Sequence, residues 1–520
     1  MAHNIQTNTA AGVLAATVAK HPDHTAYVFE GEAISFAQLN AQVEQMALAL
    51  LTCQIAHGDR VAIWAPNHPR WAVAALAAQS VGAVLVPVNT RLQGSEAGDI
   101  LARSGARILF TVLALEKGNV LDMLPDVAGL QVVLLEGSDA RASDFENMLN
   151  QADYNSVSQL NERREAVQGS DVADMLFTSG TTGKPKGVMC THEQNFRTFS
   201  CWSDTVGLRQ DDTYLIINPF FHSFGYKAGW YSALLVGCTS VPMRAFDVDT
   251  AMQAINTHKI SMLPGAPSLY EMILASPKRA DYDLSSLRLG VTGAAPVSVS
   301  LVEAMWNDLG FETVVTAYGM TESCGVISIC RPEDSAELIS TTAGRAIDGV
   351  EVICANPETG EEVARDEEGE IWVRGYNVML GYFDMPQATA DTINSAGWMR
   401  TGDIGVMDDA GYLKITDRLK DMYIMNGENV YPAEVEKVLS ALNGVTQAAV
   451  IGVKKEPQGE VGMAFIVSQA DANLTESDIK QHCADHLARY KCPMVVKFVE
   501  ALPMNASGKV VKPELRALIN

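Results

Sequence analysis

The first part of the chain alternates short apolar runs with longer amphipathic patterns. The runs RVAIWA, AVLVPVN and RILFTV are typical of buried strands, and the intervening HPRWAVAALAAQSVG and EAGDILARSGA are typical of helices. The alternation resumes with TYLIINPF, MQAINTHKI, SMLPG and LRLGVTG. Because short connectors join strands and helices in turn, this pattern predicts βαβ units and parallel sheets.

The pattern changes at about residue 340, where turns rich in Gly, Asp and Glu separate short strands in GVEVICANPETGEEVARDEEGEIWVRG. These turns predict an antiparallel β region. After GYLKITDRLKD, strand and helix signals interleave over about a hundred residues, enough for a small α+β domain. The most apolar window, WAVAALAAQSVGAVLVPVN, contains Gln79, Ser80, Gly82 and Pro87, so it predicts a helix followed by a strand and not a membrane span.

Composition and charge narrow the class of protein. With 520 residues, 48% of them hydrophobic and 19% charged, the chain is typical of a globular enzyme of roughly two to four domain-sized units. The formal net charge of -24 argues against a nucleic-acid or anionic-membrane partner, so any polyphosphate site has to be built from local N–H groups, lysines or a metal. The nine cysteines include no CxxC pair, and the N-terminus has no basic leader before an apolar segment. We therefore expect free thiols and a cytoplasmic location.

A candidate phosphate loop lies in LFTSGTTGKPKGV, residues 176–188. Its glycines allow a close backbone approach, its hydroxyls can donate to phosphate oxygens, and Lys184 and Lys186 add positive charge. It is not a Walker loop, because Pro185 stands where that motif needs a glycine. A solvated Ser/Thr/Gly connector is the alternative. Two lysines and three threonines in so short a stretch favour phosphate binding.

Further stretches allow both a structural and a functional interpretation. In TAYGMTE, Tyr318 could pack in the core or stack on a base, and Glu322 could bind Mg²⁺. In GWMRTGDIG, Asp403 could form an Asx turn or accept both hydroxyls of a ribose. A histidine such as His222 in PFFHSFGYKAG is usually a core residue, and a lysine such as Lys509 in LPMNASGKV is usually exposed. TGAAP and ITDRLKD read on their own as a plain turn and a solvated charged turn.

Taken together, the phosphate loop, AYGMTE, GWMRTGDIG, DRLKD with NGENVYPAEVE, and NASGKV have an order and spacing that resemble those of the adenylate-forming superfamily. That superfamily includes acyl-CoA synthetases, firefly-type luciferases and peptide-synthetase adenylation domains. The resemblance runs from about residue 10 to the end of the chain. It implies an α/β fold in which a large N-terminal domain, 1–417, combines stacked βαβ sheets with a β subdomain. A hinge at 418–420 would join this domain to a small, mobile α+β domain, 421–520.

The same resemblance implies the residues that carry the chemistry. Lys509 would reach the carboxylate oxygen of the acid and the α-phosphate of ATP. Thr321 and Glu322 would lie beside the α-phosphate and Mg²⁺. His222 would line the path between the acyl and thiol sites, and Lys420 matches the position of the hinge.

Binding residues follow from the resemblance in the same way. Adenine would stack near Tyr318, and Asp403 and Arg418 would bind the ribose hydroxyls. Magnesium would be held by Glu322 and Thr181. The complete implied sets are Thr178, Ser179, Gly180, Thr181, Thr182, Gly183, Lys186, Gly293, Ala294, Ala295, Tyr318, Gly319, Asp403 and Arg418 for ATP, and Asn426, Gly427 and Glu428 for CoA.

Two features indicate the branch of the superfamily. No acidic residue occurs between Pro219 and Gly229, where amino-acid adenylation domains typically carry an aspartate, so a plain carboxylic acid is favoured. GWMRTGDIGVMDDAGYLKITDRLKD also resembles the fatty-acyl-CoA synthetase signature. The resemblance therefore implies an ATP-dependent carboxylic acid:CoA ligase that releases AMP and pyrophosphate. Its partners would be the acid, ATP and CoA, with a homodimer left open.

The acyl segment carries a finer resemblance. INPFFHSFGYKAGW, LPGAPSLYEMIL and GVTGAAPV resemble a bacterial steroid-degradation ligase, which acts on the propanoate side chain of the C/D rings. This implies a steroid-derived ring propanoate as substrate, with a medium-chain fatty acid as the alternative and a carrier-protein acyl loader as a weaker one. Lys227, in the same segment, could face a ring ketone, but its long side chain favours a position that reaches solvent.

Overall fold

The computed structural model describes residues 6–519 except 117, 179–184, 294–296, 419–420, 426–427, 431, 456–458, 470–471, 473, 488 and 505–509. At 417, 418, 424, 428, 429, 459 and 490 it describes the backbone alone. The chain divides into two compact units, Met1–Val352 with Val373–Met399, and Ile353–Trp372 with Arg400–Asn520. Within the described ranges, none of the helices has both the length and the apolar character that a membrane crossing requires.

The strands follow the chain in this order: β1 (Thr25–Phe29), β2 (Glu32–Ser35), β3 (Arg60–Trp64), β4 (Val84–Pro87), β5 (Ala106–Thr111), β6 (Ala114–Leu115), β7 (Gly118–Asn119), β8 (Gln131–Leu134), β9 (Ser143–Asp144), β10 (Val172–Thr178), β11 (Lys186–Thr191), β12 (Thr213–Ile216), β13 (Thr239–Pro242), β14 (Leu289–Thr292), β15 (Thr313–Tyr318), β16 (Ser328–Ile329), β17 (Arg345–Ala346), β18 (Val350–Ala355), β19 (Gly369–Gly375), β20 (Gly381–Tyr382), β21 (Met399–Met407), β22 (Leu413–Arg418), β23 (Tyr423–Met425), β24 (Glu428–Val430), β25 (Val445–Lys455), β26 (Gly459–Ser468) and β27 (Val495–Phe498).

The α-helices lie between them: α1 (Ala10–Lys20), α2 (Phe36–Thr52), α3 (Pro69–Ser80), α4 (Gly94–Ser104), α5 (Val120–Met123), α6 (Phe145–Leu149), α7 (Val157–Ala166), α8 (His192–Val206), α9 (Ser223–Gly225), α10 (Ser232–Val236), α11 (Val248–His258), α12 (Pro267–Ala275), α13 (Val299–Asn307), α14 (Ala336–Thr341), α15 (Pro386–Thr392), α16 (Pro432–Ser440), α17 (Glu476–His486) and α18 (Lys512–Ala517). A π-helical turn, Tyr226–Tyr231, joins α9 to α10, and short 3₁₀ turns cover Tyr154–Ser156, Arg279–Asp281, Thr321–Ser323 and Arg489–Lys491.

A twisted sheet in the first unit has the strand order β20-β11-β10-β4-β3-β5-β8-β9. The runs RVAIWA, AVLVPVN and RILFTV form β3, β4 and β5, which pair in parallel, so the predicted βαβ organisation is confirmed. The apolar window between them forms α3 followed by β4, also as predicted. Local sequence sets the helix boundaries: Pro69 occupies the first turn of α3, and α8 begins at a capping box made by Thr191 and Gln194.

The first unit also contains two four-stranded sheets, with the strand orders β12-β13-β1-β2 and β14-β15-β16-β17, and the short pair β6-β7. Strands β14 and β15 run parallel, with Thr292 opposite Thr316. Their carboxyl ends therefore lie side by side at one edge of the sheet. The carboxyl edge of parallel strands is where α/β sheets usually bind ligands.

Antiparallel strands are characteristic of the second unit. Strands β21 and β22 pair antiparallel, as do β25 and β26, and β27 lies parallel to β26. A core that includes Tyr423, Val450 and Ile466 fills the C-terminal part, packed against Val435 of α16 and Ile479 of α17. In the region predicted to be antiparallel, β18 and β19 are strands and β21 pairs antiparallel with β22. The α+β character of the last segment is confirmed.

The compact units and the predicted domains use different boundaries. Residues 353–372 and 400–417 belong to the second compact unit, whereas the sequence assigns them to the large domain. A compact unit is defined by packing, and a domain boundary in the predicted sense is defined by a hinge. The division at 418–420 therefore stays a prediction.

Candidate active site

The two ends of the predicted phosphate loop are held by a strand pair. Thr178, the last residue of β10, lies opposite Lys186, the first residue of β11, in an antiparallel ladder that continues through Phe177 and Gly187. The loop positions 179–184 lie outside the described residues. Thr178 and Lys186 are therefore neighbours at the end of this strand pair, with their side chains on the same face of the sheet.

Glu322 lies in the 3₁₀ turn Thr321–Ser323, soon after β15. The chain reverses here because Cys324 and Gly325 both have positive φ, 58° and 110°. Glu322 is only 7% exposed. Its Oε1 accepts a hydrogen bond from the Thr178 hydroxyl at 3.4 Å and another from the Tyr382 hydroxyl at 3.0 Å. The structure thus brings the predicted Thr178 and Glu322 into contact and adds Tyr382, which the sequence analysis missed.

Lys186 joins the same group through an aromatic ring. Its Nζ lies over the Tyr382 ring, 4.6 Å from the centroid, a distance at which the ring face attracts a cation. Burial, and then the charge of Glu322, raise the pKa of the Tyr382 hydroxyl, so that hydroxyl keeps its proton and donates to the carboxylate. Lys186, Tyr382 and Glu322 therefore form one connected set, called here the Lys–Tyr–Glu set.

Gly293 and Tyr318 lie at the shared carboxyl edge of β14 and β15. A Cβ added to Gly293 would lie 3.2 Å from the Ala317 carbonyl oxygen, and one added to Gly319 would lie 2.2 Å from the Gly325 carbonyl oxygen. Both positions are therefore crowded by backbone. Tyr318 is half-buried at this edge. The predicted nucleotide-lining residues that the structure describes thus meet at one edge of the sheet.

His222 is exposed and precedes α9. Its Nδ1 accepts a hydrogen bond from the Phe224 backbone N–H at 3.2 Å. The interpretation of His222 as a core histidine is therefore wrong. The turn that follows is π-helical, a geometry that is frequent at functional sites, and its backbone is non-helical at Gly229. The role of His222 on the acyl path stays a prediction.

Lys227 is buried, so the predicted solvent-reaching position is wrong. Its Nζ lies 3.0 Å from Asp174 Oδ1, and the two side chains are 1% and 0% exposed. Asn195 donates to the second oxygen of Asp174, and Cys324 Sγ donates to Asn195 Oδ1 at 3.0 Å. The Nζ of Lys227 is also 3.6 Å from Cys324 Sγ. This buried cluster connects β10, α8 and the π-helical turn to the reversal that follows Glu322.

Within the second unit, β21 carries Asp403 and β22 ends at Arg418. The two residues are directly opposite in the antiparallel ladder, so the register brings the predicted ribose pair together. Asp403 is buried and belongs to a strand, and its backbone N–H donates to Thr401 Oγ1 at 3.1 Å. For Arg418 the structure describes the backbone alone.

Glu370 braces the residues that precede Asp403. Its Oε2 accepts hydrogen bonds from Arg400 Nε and Trp372 Nε1, both at 2.9 Å, and its Oε1 accepts one from the Gly402 N–H at 3.2 Å. Glu370 is not among the residues predicted from the sequence. A buried glutamate in a strand requires partners, and that requirement is the signal that could have found it.

Two models of known protein families match this chain. The sequence model of the AMP-binding enzymes matches residues 14–383, and that of the AMP-binding enzyme C-terminal domain matches residues 434–509. The chain belongs to the AMP-binding enzyme family. The superfamily and the fold class predicted from the motifs are thereby confirmed.

Individual members of the AMP-binding enzyme family are similar over nearly the whole chain. The 3-(7a-methyl-1,5-dioxo-octahydro-1H-inden-4-yl)propanoyl:CoA ligase of Rhodococcus jostii is 46% identical over 500 residues, 93% of each chain. The structure of a Mycobacterium tuberculosis fatty acyl CoA synthetase is 32% identical, with a TM-score of 0.78 over 99% of both chains. That of o-succinylbenzoate CoA synthetase from Bacillus subtilis, in complex with ATP and a magnesium ion, is 29% identical, with a TM-score of 0.83 over 97% of this chain and 99% of the other.

These relatives are named ligases and synthetases of CoA thioesters, which supports the predicted AMP-forming acid:CoA ligase. The predicted use of ATP, Mg²⁺ and CoA is supported in the same way. The roles of individual residues are not decided by these names, and they stay predictions.

Part of the predicted site of this AMP-binding enzyme lies outside the described residues. Arg418 and Glu428 are described in backbone only, as the end of β22 and the start of β24. The positions outside are Ser179, Gly180, Thr181, Thr182, Gly183, Ala294, Ala295, Lys420, Asn426, Gly427 and Lys509.

The described donors fit a magnesium ion bound together with phosphate. Across the part of the chain that the structure describes, no group of three His, Cys, Asp or Glu side chains could hold a metal by itself. Mg²⁺ is usually held by one or two carboxylates, with substrate phosphates and water as its other ligands. One buried carboxylate, Glu322, next to the Thr178 hydroxyl at the end of the phosphate loop, is a donor set of this kind.

Proposed function

We propose that this chain is an ATP-dependent ligase that joins a steroid-derived ring propanoate to CoA, with release of AMP and pyrophosphate. The observation that carries the proposal is the 46% identity to the Rhodococcus jostii ligase across 93% of both chains, since that relative is named for a bicyclic propanoyl group. A medium-chain fatty acid is the second candidate. It is favoured by the similarity to a fatty acyl CoA synthetase, at the lower identity of 32%.

The proposed reaction has two steps. First, a carboxylate oxygen of the acid bonds to the α-phosphorus of ATP, and the bond from that phosphorus to pyrophosphate breaks. Second, the CoA sulfur bonds to the acyl carbon, the thiol gives up its proton, and the bond from that carbon to the AMP oxygen breaks. Neither step needs a protein nucleophile, so the chain has to orient the reactants and stabilise the charge that develops.

In the first step, Thr178 and Lys186 would bind the outer phosphates of ATP from the two ends of the phosphate loop. Lys509 would neutralise charge at the α-phosphate as the new bond forms. Glu322 and Thr181 would hold Mg²⁺, which when bound neutralises charge on the phosphate oxygens. Support for this part of the proposal is the contact of Thr178 with Glu322 and the placement of Lys186 beside both through Tyr382.

The remaining roles concern the ribose, the hinge and the thiol. Asp403 and Arg418 would bind the ribose hydroxyls, which their opposite positions in the β21–β22 ladder support. The small domain, 421–520, would turn about Lys420 between the two steps and bring 426–428 to CoA, because a few residues can absorb such a rotation. We propose a cytoplasmic location, in which the nine free thiols would stay reduced, and a homodimeric assembly.

The first prediction concerns magnesium. Glu322→Gln should raise the Mg²⁺ concentration needed for half-maximal ATP–pyrophosphate exchange about 10–100-fold, because an amide binds this hard cation less well than a carboxylate. Glu351→Gln is the matched control, since Glu351 is 61% exposed and pairs with Arg374 on the surface. Identical magnesium titrations for wild type and Glu322→Gln would remove Glu322 from the metal site.

The second prediction concerns the acid. We expect kcat/KM for a 7a-methyl-1,5-dioxo-octahydroindenyl propanoate to exceed that for hexanoate through dodecanoate by at least about tenfold, the usual discrimination of a shaped apolar pocket. The measurement is acid-dependent AMP release with CoA as the thiol. A higher value for any straight-chain acid would favour the fatty-acid alternative, and adenylation without transfer to free CoA would favour a carrier-protein loader. Because Lys227 is paired with Asp174, it is not available to contact a ring ketone.

A further inference from the structure

Tyr382 lies between the two charged members of the Lys–Tyr–Glu set. Its hydroxyl donates to Glu322 Oε1 at 3.0 Å, and its ring receives the Lys186 ammonium group 4.6 Å from the centroid. The residue is 7% exposed. A single side chain therefore contacts a carboxylate and a cation of opposite charge, one through its polar end and the other through its face.

The position of Tyr382 is fixed by the protein alone. Strand β20 pairs antiparallel with β11, with Tyr382 opposite Val188. Its backbone N–H donates to Thr389 Oγ1 at 2.9 Å. Gly381 has a φ of +146°, and a Cβ added there would lie 2.7 Å from the Thr389 side chain, so α15 packs directly against this strand. Tyr382 is therefore held in place before any ligand binds.

The segment that carries Tyr382 also holds the backbone around Glu322. The Met379 N–H donates to the Glu322 carbonyl oxygen at 2.9 Å, and Asn377 Nδ2 donates to the Val326 carbonyl oxygen at 2.7 Å. Asn377 is fully buried. The turn at Glu322 is thus braced by main-chain and side-chain contacts from residues 377–382.

Among the described residues, both hydrogen bonds to the Glu322 carboxylate go to one of its two oxygens. Both Thr178 and Tyr382 donate to Oε1, and no residue that the structure describes donates to Oε2. A buried carboxylate is costly unless it is paired, and a phenol that donates to one oxygen offsets that cost and orients the other oxygen. Hydrogen-bond partners of metal-binding carboxylates commonly have this orienting function.

We propose that Tyr382 is a positioning residue for adenylation. It orients the Glu322 carboxylate toward Mg²⁺ through its hydroxyl and holds the Lys186 ammonium group toward the phosphates through its ring. The inference rests on the proposed function, in which Glu322 and Lys186 bind magnesium and phosphate. It assigns separate tasks to the two parts of one side chain, so the tasks can be tested separately.

Tyr382→Phe removes the hydroxyl and keeps the ring. The Mg²⁺ dependence of ATP binding, measured by titration calorimetry, should shift to about 10–100-fold higher magnesium, the usual effect of losing an orienting partner of a metal ligand. At saturating magnesium the affinity for ATP should match wild type. Thioester formation from supplied acyl-adenylate should also match wild type, whereas a general loss of structure would lower it.

Tyr382→Leu removes the ring as well. It should show the same magnesium shift and, in addition, an affinity for ATP at saturating magnesium reduced about 3–10-fold, because Lys186 loses the ring face that holds it. Tyr376→Phe is the matched control. Tyr376 lies six residues before Tyr382, and Arg197 Cζ lies 3.9 Å from the centroid of its ring. Among the described contacts its hydroxyl makes no hydrogen bond to Glu322.

A variant cycle separates positioning from a general structural effect. If Tyr382 acts through the Glu322 carboxylate, Tyr382→Phe should add little to the magnesium shift of Glu322→Gln, and the shifts should not be additive. An unchanged magnesium dependence in Tyr382→Phe, additive shifts in the double variant, or an equal shift in Tyr376→Phe would each overturn the inference.

Failure of the proposed function would look different. Wild type would then bind Mg²⁺ and ATP but release no AMP with any acid. The calorimetric comparison of the Tyr382 variants would still decide the role of this residue.

Discussion

Lys227→Met is expected to destabilise the first unit by about 3–5 kcal/mol, because it leaves the Asp174 carboxylate buried without its counter-ion. Lys227 and Asp174 are 1% and 0% exposed, and their charged atoms are 3.0 Å apart. Methionine has a similar length and no charge, so the substitution changes packing little. The measurement is the free energy of unfolding in urea, followed by tryptophan fluorescence, since Trp230 lies in the same π-helical turn.

An exposed lysine–aspartate pair provides the matched control. Lys259 and Asp283 are 2.8 Å apart, with side chains that are 60% and 52% exposed. Exposed pairs contribute about 0–1 kcal/mol, so Lys259→Met should change the free energy of unfolding by no more than that. Equal effects of Lys227→Met and Lys259→Met would contradict the account of a buried ion pair.

The pH dependence of the Lys227→Met effect follows from the direction of the lysine pKa. Burial alone would lower the pKa of Lys227, but the Asp174 carboxylate, assisted by Cys190, Cys324 and Tyr226, holds it well above its ordinary value. A lysine whose pKa is raised by folding contributes stability that is fully present below its unfolded pKa of about 10.4 and is lost only as the pH rises through the folded pKa. The contribution of Lys227 to the stability of wild type should therefore be constant from about pH 7 to 9.

Removing both charges should restore much of the stability. In Lys227→Met with Asp174→Asn, the new amide has no charge to compensate and its oxygen can still accept from Asn195. Replacing a buried pair with neutral groups is often nearly neutral, whereas removing one partner is not. A double variant as unstable as the sum of the two single variants would show that the two residues are not coupled.

The sequence predicts best what depends on local pattern. The apolar runs of β3, β4 and β5 and the helical patterns between them are periodic over a few residues, so both their type and their parallel pairing could be predicted. The resemblance to the superfamily implied that Asp403 and Arg418 act together, and the ladder of β21 and β22 places them opposite each other. For the strands and helices the information lies within each element and in the alternation of neighbouring elements.

The sequence does not predict contacts between elements that are far apart in the chain. Lys227 was expected to reach solvent, because that is the usual position of an isolated lysine, but its partners Asp174 and Cys324 come from β10 and the turn after Glu322. A signal was present in VADMLF: an aspartate inside an apolar strand needs a buried partner of opposite charge or a hydrogen-bond donor. Tyr382 has no comparable signal, because a tyrosine at a strand end is usually rim packing.

Lys509→Ala is expected to lower the rate of acyl-adenylate formation about 10²–10³-fold, the usual effect of removing one group that stabilises transition-state charge. Lys509 itself lies outside the described residues, but the residues that flank 505–509 are described. Met504 and Val510 form an antiparallel bridge, and the Val511 N–H donates to the Pro503 carbonyl oxygen at 2.8 Å. The described residues on either side of 505–509 are therefore joined by backbone contacts.

The test of Lys509 lies in the comparison of the two half-reactions. A cation needed only while the acid attacks the α-phosphate should be dispensable when acyl-adenylate is supplied, so thioester formation in Lys509→Ala should proceed at the wild-type rate while ATP–pyrophosphate exchange collapses. Lys480→Ala is the control, because Lys480 pairs with Glu476 on the exposed face of α17 and should affect neither half-reaction. Equal loss of both half-reactions in Lys509→Ala would instead indicate that this lysine stabilises the folded small domain, and it would remove Lys509 from the catalytic set.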